Sequence, residues 1–206
     1  MALDGRSSGG PSPSPRELID AVIASGPAAL LKDAGFRKRG KKFYLVEPAS
    51  SAHLGFRGSW TSSRERTRFT IDLGRYFPAV AVHLGNEVIK DPGKRTWLHY
   101  GVPIGHLMEP SRADNWWELT STYEVAQVGA SVTVALRDRA LPFLRSIATL
   151  EGLVAENAFL PQWLHESRRD TRAAALSILG REDEARALRA KIQELERSHR
   201  ERHGLT

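Results

Sequence analysis

The spacing of apolar positions changes twice along the chain, from helical to alternating and back to helical. Leu18, Ile19, Val22 and Ile23 share one face of a helix. Ser14-Pro15-Arg16-Glu17 predicts its start: Ser14 caps, Pro15 suits the first helical position, and Glu17 completes a reciprocal capping box. Ser25-Gly26-Pro27 breaks or kinks this helix, and Ala28 to Ala34 resumes it. Gly35 suits the left-handed residue that ends it, with Phe36 folding back on the last turn.

After a basic run the period becomes two. Phe43 and Leu45 alternate with Tyr44 and Val46 until Pro48, and Leu54, Phe56 and Trp60 share a face of a second strand. The clearest strand runs from Arg68 to Gly74, with Phe69, Ile71 and Leu73 on one side and Arg68, Thr70 and Asp72 on the other. Such alternation predicts an antiparallel sheet with one wet face. Residues 75–93 read as irregular, with Val80 and Val82 available for a brief pairing. A further strand fits Arg95 to Val102, bounded by Pro92-Gly93 and Pro103. Trp116-Trp117-Glu118-Leu119 reads as strand, so one tryptophan faces the core and the other faces outward or lies under a helix.

From about Ala130 the helical period returns through Val132 and Leu136. Pro142 kinks or divides this segment, and Leu150, Leu153 and Val154 carry the apolar stripe to about Phe159. Pro161 opens a helix through Trp163, Leu164, Ala174 and Ile178 that Gly180 closes. Glu182-Asp183-Glu184 place acids in the first turn of the next helix, where the macrodipole favours them. Ala185, Leu188, Ile192 and Leu195 form a narrow seam for one partner helix, with Glu182–Arg186 and Glu196–Arg200 as supporting pairs. The turn from Leu179 to Ala185 looks like that inside a tetratricopeptide repeat, but no second copy follows. The hairpin is expected to pack on the sheet domain or on a second subunit. The pattern as a whole predicts an α+β fold: an antiparallel sheet of four to five strands packed by an N-terminal helix and later helices, plus a C-terminal helical hairpin. Residues 1–13 read as a disordered tail, 14–160 as the α+β domain and 161–206 as the hairpin extension.

Composition removes several kinds of chemistry. The 206 residues include no cysteine, which excludes disulfides, thiolate metal sites and thiol nucleophiles together. No apolar run approaches the roughly 18 residues that a membrane span requires. Met1 to Pro15 is not a secretory signal, so a cytoplasmic location is expected. The net charge is +6, and Arg37-Lys38-Arg39-Gly40-Lys41-Lys42 carries +5 of it, one basic knot on a nearly neutral chain.

Residues 30–45 carry a phrase of Leu31-Lys32, Gly35-Phe36, a basic triplet and Phe43-Tyr44. Phe69-Thr70-Ile71-Asp72-Leu73-Gly74, Ile104-Gly105-His106-Leu107, Asp114 with Trp116-Trp117, and Leu141-Pro142-Phe143-Leu144 follow in order. In these phrases and their spacing the chain resembles the bacterial domain of unknown function 4304 family over roughly residues 16–155. The resemblance implies a compact α+β domain without an assigned activity or agreed catalytic residues.

The basic knot is the first candidate site. Arg37, Lys38, Arg39, Lys41 and Lys42 around a Gly40 turn would hold phosphates, with Tyr44 and Phe36 near for stacking. The alternative is a solvated helix-to-strand connection. The seven histidines include no His-Glu-x-x-His, and without cysteine a zinc site needs three histidine or carboxylate ligands. Gly-x-Ser-x-Gly, Gly-x-x-x-x-Gly-Lys-Ser/Thr and Gly-x-Gly-x-x-Gly are all missing. No metal or cofactor is expected. The leading expectation is a non-catalytic binding module for another protein, with the helical seam and an outward Trp117 as contacts and the hairpin as a route to homo-oligomers. The alternatives are nucleic-acid or phosphate-ligand binding through residues 37–42, and an enzyme acting from Asp72, His99, His106 or Asp114. The shape of the polar face carrying Thr70, Asp72 and His99 discriminates. A concave pocket with Arg37 to Lys42 at its mouth favours an anionic small molecule, whereas a flat face favours a protein partner.

Overall fold

Ser14 opens the first helix as its residue type dictates. It caps α1 (Pro15–Ala24): the Glu17 N–H donates to the Ser14 hydroxyl at 3.3 Å, and the Glu17 carboxylate accepts from the Ser14 N–H at 2.7 Å. α2 (Pro27–Asp33) resumes after the Gly26 turn. Gly35 then adopts φ 87°, and the Phe36 N–H donates to the Leu31 carbonyl at 2.9 Å, the wrap-back that closes a helix on a left-handed residue. The computed structural model describes residues 13–91, 93, 100–108, 116–155 and 169–202. Residues 1–12 of the expected tail, His99, Asp114, Trp163, Leu164 and the Leu195 side chain lie outside the described residues.

Six strands follow: β1 (Arg37–Arg39), β2 (Lys42–Val46), β3 (Ser51–Gly58), β4 (Thr67–Tyr76), β5 (Tyr100–Pro103) and β6 (Trp117–Leu119). All pair antiparallel in the order β1-β2-β3-β4-β5, and β6 also pairs with β4, beyond the end of β5. The strand beyond the expected four to five is β1. The basic run is largely solvent-exposed, but it forms a strand and turn of a hairpin rather than a plain helix-to-strand connection, registering Lys38 opposite Phe43. Gly40 supplies φ 61° at the first central position of the two-residue turn, a conformation that costs glycine little.

Alternation sorts the side chains. Phe43, Leu54, Leu73 and Val102 stand in one cross-strand row, and Phe56 and Ile71 in the next. All are 5% exposed or less. An aromatic ladder crosses this face from Phe43 to Phe56 (6.1 Å), Phe69 (6.0 Å) and Trp117 (5.6 Å, stacked). α1 covers it, together with α4 (Val125–Ala135), a π turn (Leu136–Ala140) and α5 (Leu141–Ser146).

Three local expectations are corrected. Trp60 does not extend the β3 face: β3 ends at Gly58, and the loop is locked by the Ser62 hydroxyl, which donates to the Arg68 carbonyl (3.1 Å) and accepts from its N–H (3.0 Å). The indole is left 95% exposed. Residues 75–93 are not irregular throughout, because β4 runs to Tyr76 and Pro78 opens α3 (Pro78–His83), burying Val80 and exposing Val82 by helical rather than paired spacing. The later helix starts at Val125, five residues before the Ala130 read from periodicity, because a Ser121–Glu124 capping box precedes it.

α6 (Leu150–Val154) leads toward the closing hairpin of α7 (Arg169–Ile178) and α8 (Glu182–Arg202). α7 packs on α3 and α6, so Ala174, Ala175 and Leu176 join the same core, with Ala185 from α8. Glu182 reaches Arg189 (3.0 Å) and Ser177 (2.7 Å) rather than Arg186, which pairs with Asp183. Among the described residues no helix is long and apolar enough to cross a membrane.

Candidate functional site: a glycine-floored cleft on the outer face

The hairpin divides the basic knot. Arg37 and Arg39 project to the outer face of the sheet, opposite Tyr44 and Lys42. Lys38 points the other way, its ammonium 6.0 Å from the centre of the Phe43 ring. Lys41 lines a depression with Arg16, Asp20, Lys38 and Gly40. Partial burial lowers its pKa, with Asp20 opposing that and Arg16 adding to it. Lys41 also lines a cleft on the outer face with Arg39 and Lys42, so three of the five cations share that site and the five are not one patch.

On the outer face a cleft of about 430 Å³ opens over Gly55. The cross-strand register explains its shape. Gly55 lies between Lys42 on β2 and Asp72 on β4, with His53 and Arg57 two residues away along its own strand. Side chains rise on four sides of a position that has none. Tyr44 and Arg39 extend the wall. A Cβ added at Gly55 would meet only Lys42 Cγ at 3.9 Å, and its φ is not in the left-handed region. Neither a turn nor a close approach requires glycine here, and glycine weakens a strand interior by roughly 0.5–1 kcal/mol.

The walls are held. Arg57 donates to Asp72 from Nε (2.6 Å) and from a terminal nitrogen (3.1 Å), a two-pronged pair, and its guanidinium lies 5.3 Å from the Trp116 ring. Arg39 pairs with Asp91 at 3.3 Å, and the second Asp91 oxygen accepts from the Gly93 N–H at 3.0 Å. That turn seats Gly93 against Tyr44, where a Cβ would stand 3.0 Å from the ring. The Ile89 N–H donates to the Tyr76 hydroxyl at 2.9 Å, so the segment after α3 straps one end of the outer face.

His53, 6% exposed, forms the inner wall. Its Nε2 lies 2.8 Å from the Ser51 hydroxyl. Burial, with Arg75 and Lys42 adding repulsion, lowers its pKa to about 4, so the imidazole is neutral at pH 7. This serine–histidine contact is not a nucleophile with its base. Ser51 is 3% exposed and outside the cleft lining, and no carboxylate orients Nδ1 among the described residues. Arg75, on the packed face, is 1% exposed. It donates to the Leu144 carbonyl (2.8 Å) and the Ser50 hydroxyl (2.7 Å), and pairs with Glu47. That network ties the end of α5 to the β2–β3 turn.

Among the described residues Asp72 and Glu118 do not converge, and His106 is outside the cleft lining. Asp72 and Glu118 are four β4 positions apart by register, about 13 Å at strand rise. Glu118 is bound two-pronged by Arg66 (2.7 and 2.8 Å), which lowers its pKa. His106 is buried in the single turn Ile104–Leu107, and Thr70, expected on a wet face, is 1% exposed. Of the tryptophan pair, Trp117 is the core member: it is 9% exposed, stacks on Phe69 and donates to Ser131 at 3.2 Å. Trp116, half-buried, takes the other face between Arg57 and Arg68. Trp117 therefore cannot serve as the outward anchor expected of it. Among the described residues no three histidines or carboxylates are placed to hold a metal.

Sequence reading missed His53, Gly55 and Arg57, although the alternation that marked Leu54 and Phe56 puts these three on the opposite face. The chain matches no curated protein and no solved structure. Over residues 28–146, which span β1 to β6 and the covering helices α4 and α5 but not α1, it matches a family model, and on that match the chain belongs to the family described as a domain of unknown function, DUF4304.

Proposed function

We propose that this domain is a non-catalytic binding module that seats the anionic group of a small molecule in the outer-face cleft. The observation that carries the reading is Gly55, an unforced glycine in a central strand, flanked by the cations Lys42, Arg39 and Arg57. Its structural cost has no structural return, and what it leaves is room. A volume of about 430 Å³ falls in the range of small-molecule sites. Bounded walls favour a compact ligand over a polymer that tracks a continuous basic stripe.

Titration with phenyl phosphate, followed by calorimetry, tests the reading. Binding that weakens with salt, drops about tenfold in Lys42→Gln and disappears in Gly55→Val is expected. Binding that is absent, or indifferent to both substitutions, overturns it. A second reading, contact with another protein, is supported by Trp60 at 95% and Tyr123 at 94% exposure. Both stand on turns locked by their own serine and glutamate hydrogen bonds. Trp60→Ser would weaken such a complex and leave phosphate binding unchanged.

A further inference from the structure

The cleft has two chemically unlike ends. Along one cross-strand row stand Arg39, Lys42, Gly55 and Asp72, so two cations face a carboxylate across an empty position. The Cα atoms of Lys42 and Asp72 are two strand spacings apart, about 9.6 Å. Asp72 is not loose. The fork of Arg57 holds both its oxygens, and Arg57 is itself set against Trp116. Each carboxylate oxygen keeps a further lone pair for an incoming donor. An acceptor fixed before the ligand arrives costs little ordering entropy on binding.

We propose that the ligand is dipolar: a phosphorylated small molecule whose phosphate sits at Lys42 and Arg39 and whose far end presents an N–H donor to Asp72. This rests on the anion-seating reading above and adds the second half of the ligand. A molecule anionic at both ends would bring like charge onto Asp72, which the cleft rejects. Length and polarity therefore act together: the phosphate is drawn to β2, and only a donor satisfies β4. His53, two residues from Gly55 along β3, walls one side of the cross-strand row. Its Nε2 is engaged by Ser51, while Nδ1 has no hydrogen-bond partner among the described residues and serves the body of the ligand. The Tyr44 ring offers a flat wall beside it.

Two nucleotides of the same size separate the claims. Adenosine 5′-monophosphate carries an exocyclic amine distant from its phosphate, and purine riboside 5′-monophosphate lacks only that amine. Calorimetric titration of the full chain is expected to favour the first by about tenfold, the size of one hydrogen bond to a charged group. Asp72→Asn should shrink the preference to about twofold, while Asp72→Glu, which keeps the charge, should retain most of it. Circular dichroism before titration confirms that each variant is folded. Equal binding of the two nucleotides, abolished by Gly55→Val, overturns the dipolar ligand and leaves the anion site standing. An unchanged preference in Asp72→Asn also overturns the role of Asp72. No binding of either nucleotide or of phenyl phosphate overturns both.

Discussion

β3 and β4 build two faces from alternate residues of the same segments, and the faces differ in what happens at each position. On the packed side Leu54, Phe56, Phe69, Ile71 and Leu73 are each 5% exposed or less, large apolar side chains in close contact. On the outer side the same strands carry His53, Gly55, Arg57 and Asp72, where Gly55 leaves a gap and two charges are locked together. The packed face gains from every atom it adds. The outer face forgoes packing at its centre and fixes polar groups around the gap, which is the arrangement a recognition site needs. On the proposed function, packing and ligand binding draw on opposite sides of one pair of strands.

Substitutions that act on one side alone test this division. Phe69, 0% exposed and in ring contact with Phe56 and Trp117, stands at the middle of the ladder. Phe69→Ala should cost about 3–5 kcal/mol, read as a lower urea midpoint with an unchanged slope. Comparable loss from an outer-face truncation would break the contrast.

His53 gives a pH-dependent effect of the next size. Its folded-state pKa of about 4 lies below the 6.5 of the unfolded chain. Between these values the unfolded chain binds a proton that the folded chain refuses. The stabilisation is therefore complete above about pH 6.5 and is lost as pH falls toward 4, in total about 3 kcal/mol. Denaturant midpoints measured from pH 7 to 4 should fall more steeply in the native chain than in His53→Gln. Parallel curves would show that the imidazole is not held neutral by its surroundings.

Gly55→Val should have the smallest effect on stability and the largest on binding. Valine suits a strand, its Cβ meets ordinary contact distance, and the change should leave stability within about 1 kcal/mol of the native chain or raise it. Thermal melting alongside the phosphate titration checks both halves. A variant that melts far below the native chain would mean that the outer face is packed after all.

Arg75 crosses the division and shows why it is not simply apolar against polar. It occupies a packed-face position, yet its charge is satisfied by Glu47, Ser50 and the Leu144 carbonyl. These partners lie 28, 25 and 69 residues away in sequence. Nothing in the neighbourhood of Arg75 along the chain distinguishes it from the half-buried Arg68. Trp116 and Trp117 make a similar point. Adjacency on a strand dictates that they part, but which one enters the core depends on the pairing of Trp117 with Phe69.

Local chemistry along the chain determined the elements: the Ser14–Glu17 box, the Gly35 stop, the alternation of β4 and the acidic opening of α8. Each of these is an interaction within a few residues, so neighbouring letters carry it. Alternation also determined that one sheet face is apolar, and with it the α+β class. Tertiary structure alone decided that Lys42, Gly55 and Asp72 form one row, that Arg39 is tied to Asp91, and that the basic knot splits between two sides of a hairpin. The physical reason is register. A strand's period states which way a residue points, whereas its neighbours across the sheet are set by pairing with segments tens of residues distant. The cleft is a property of those pairings, and so is the void above Gly55.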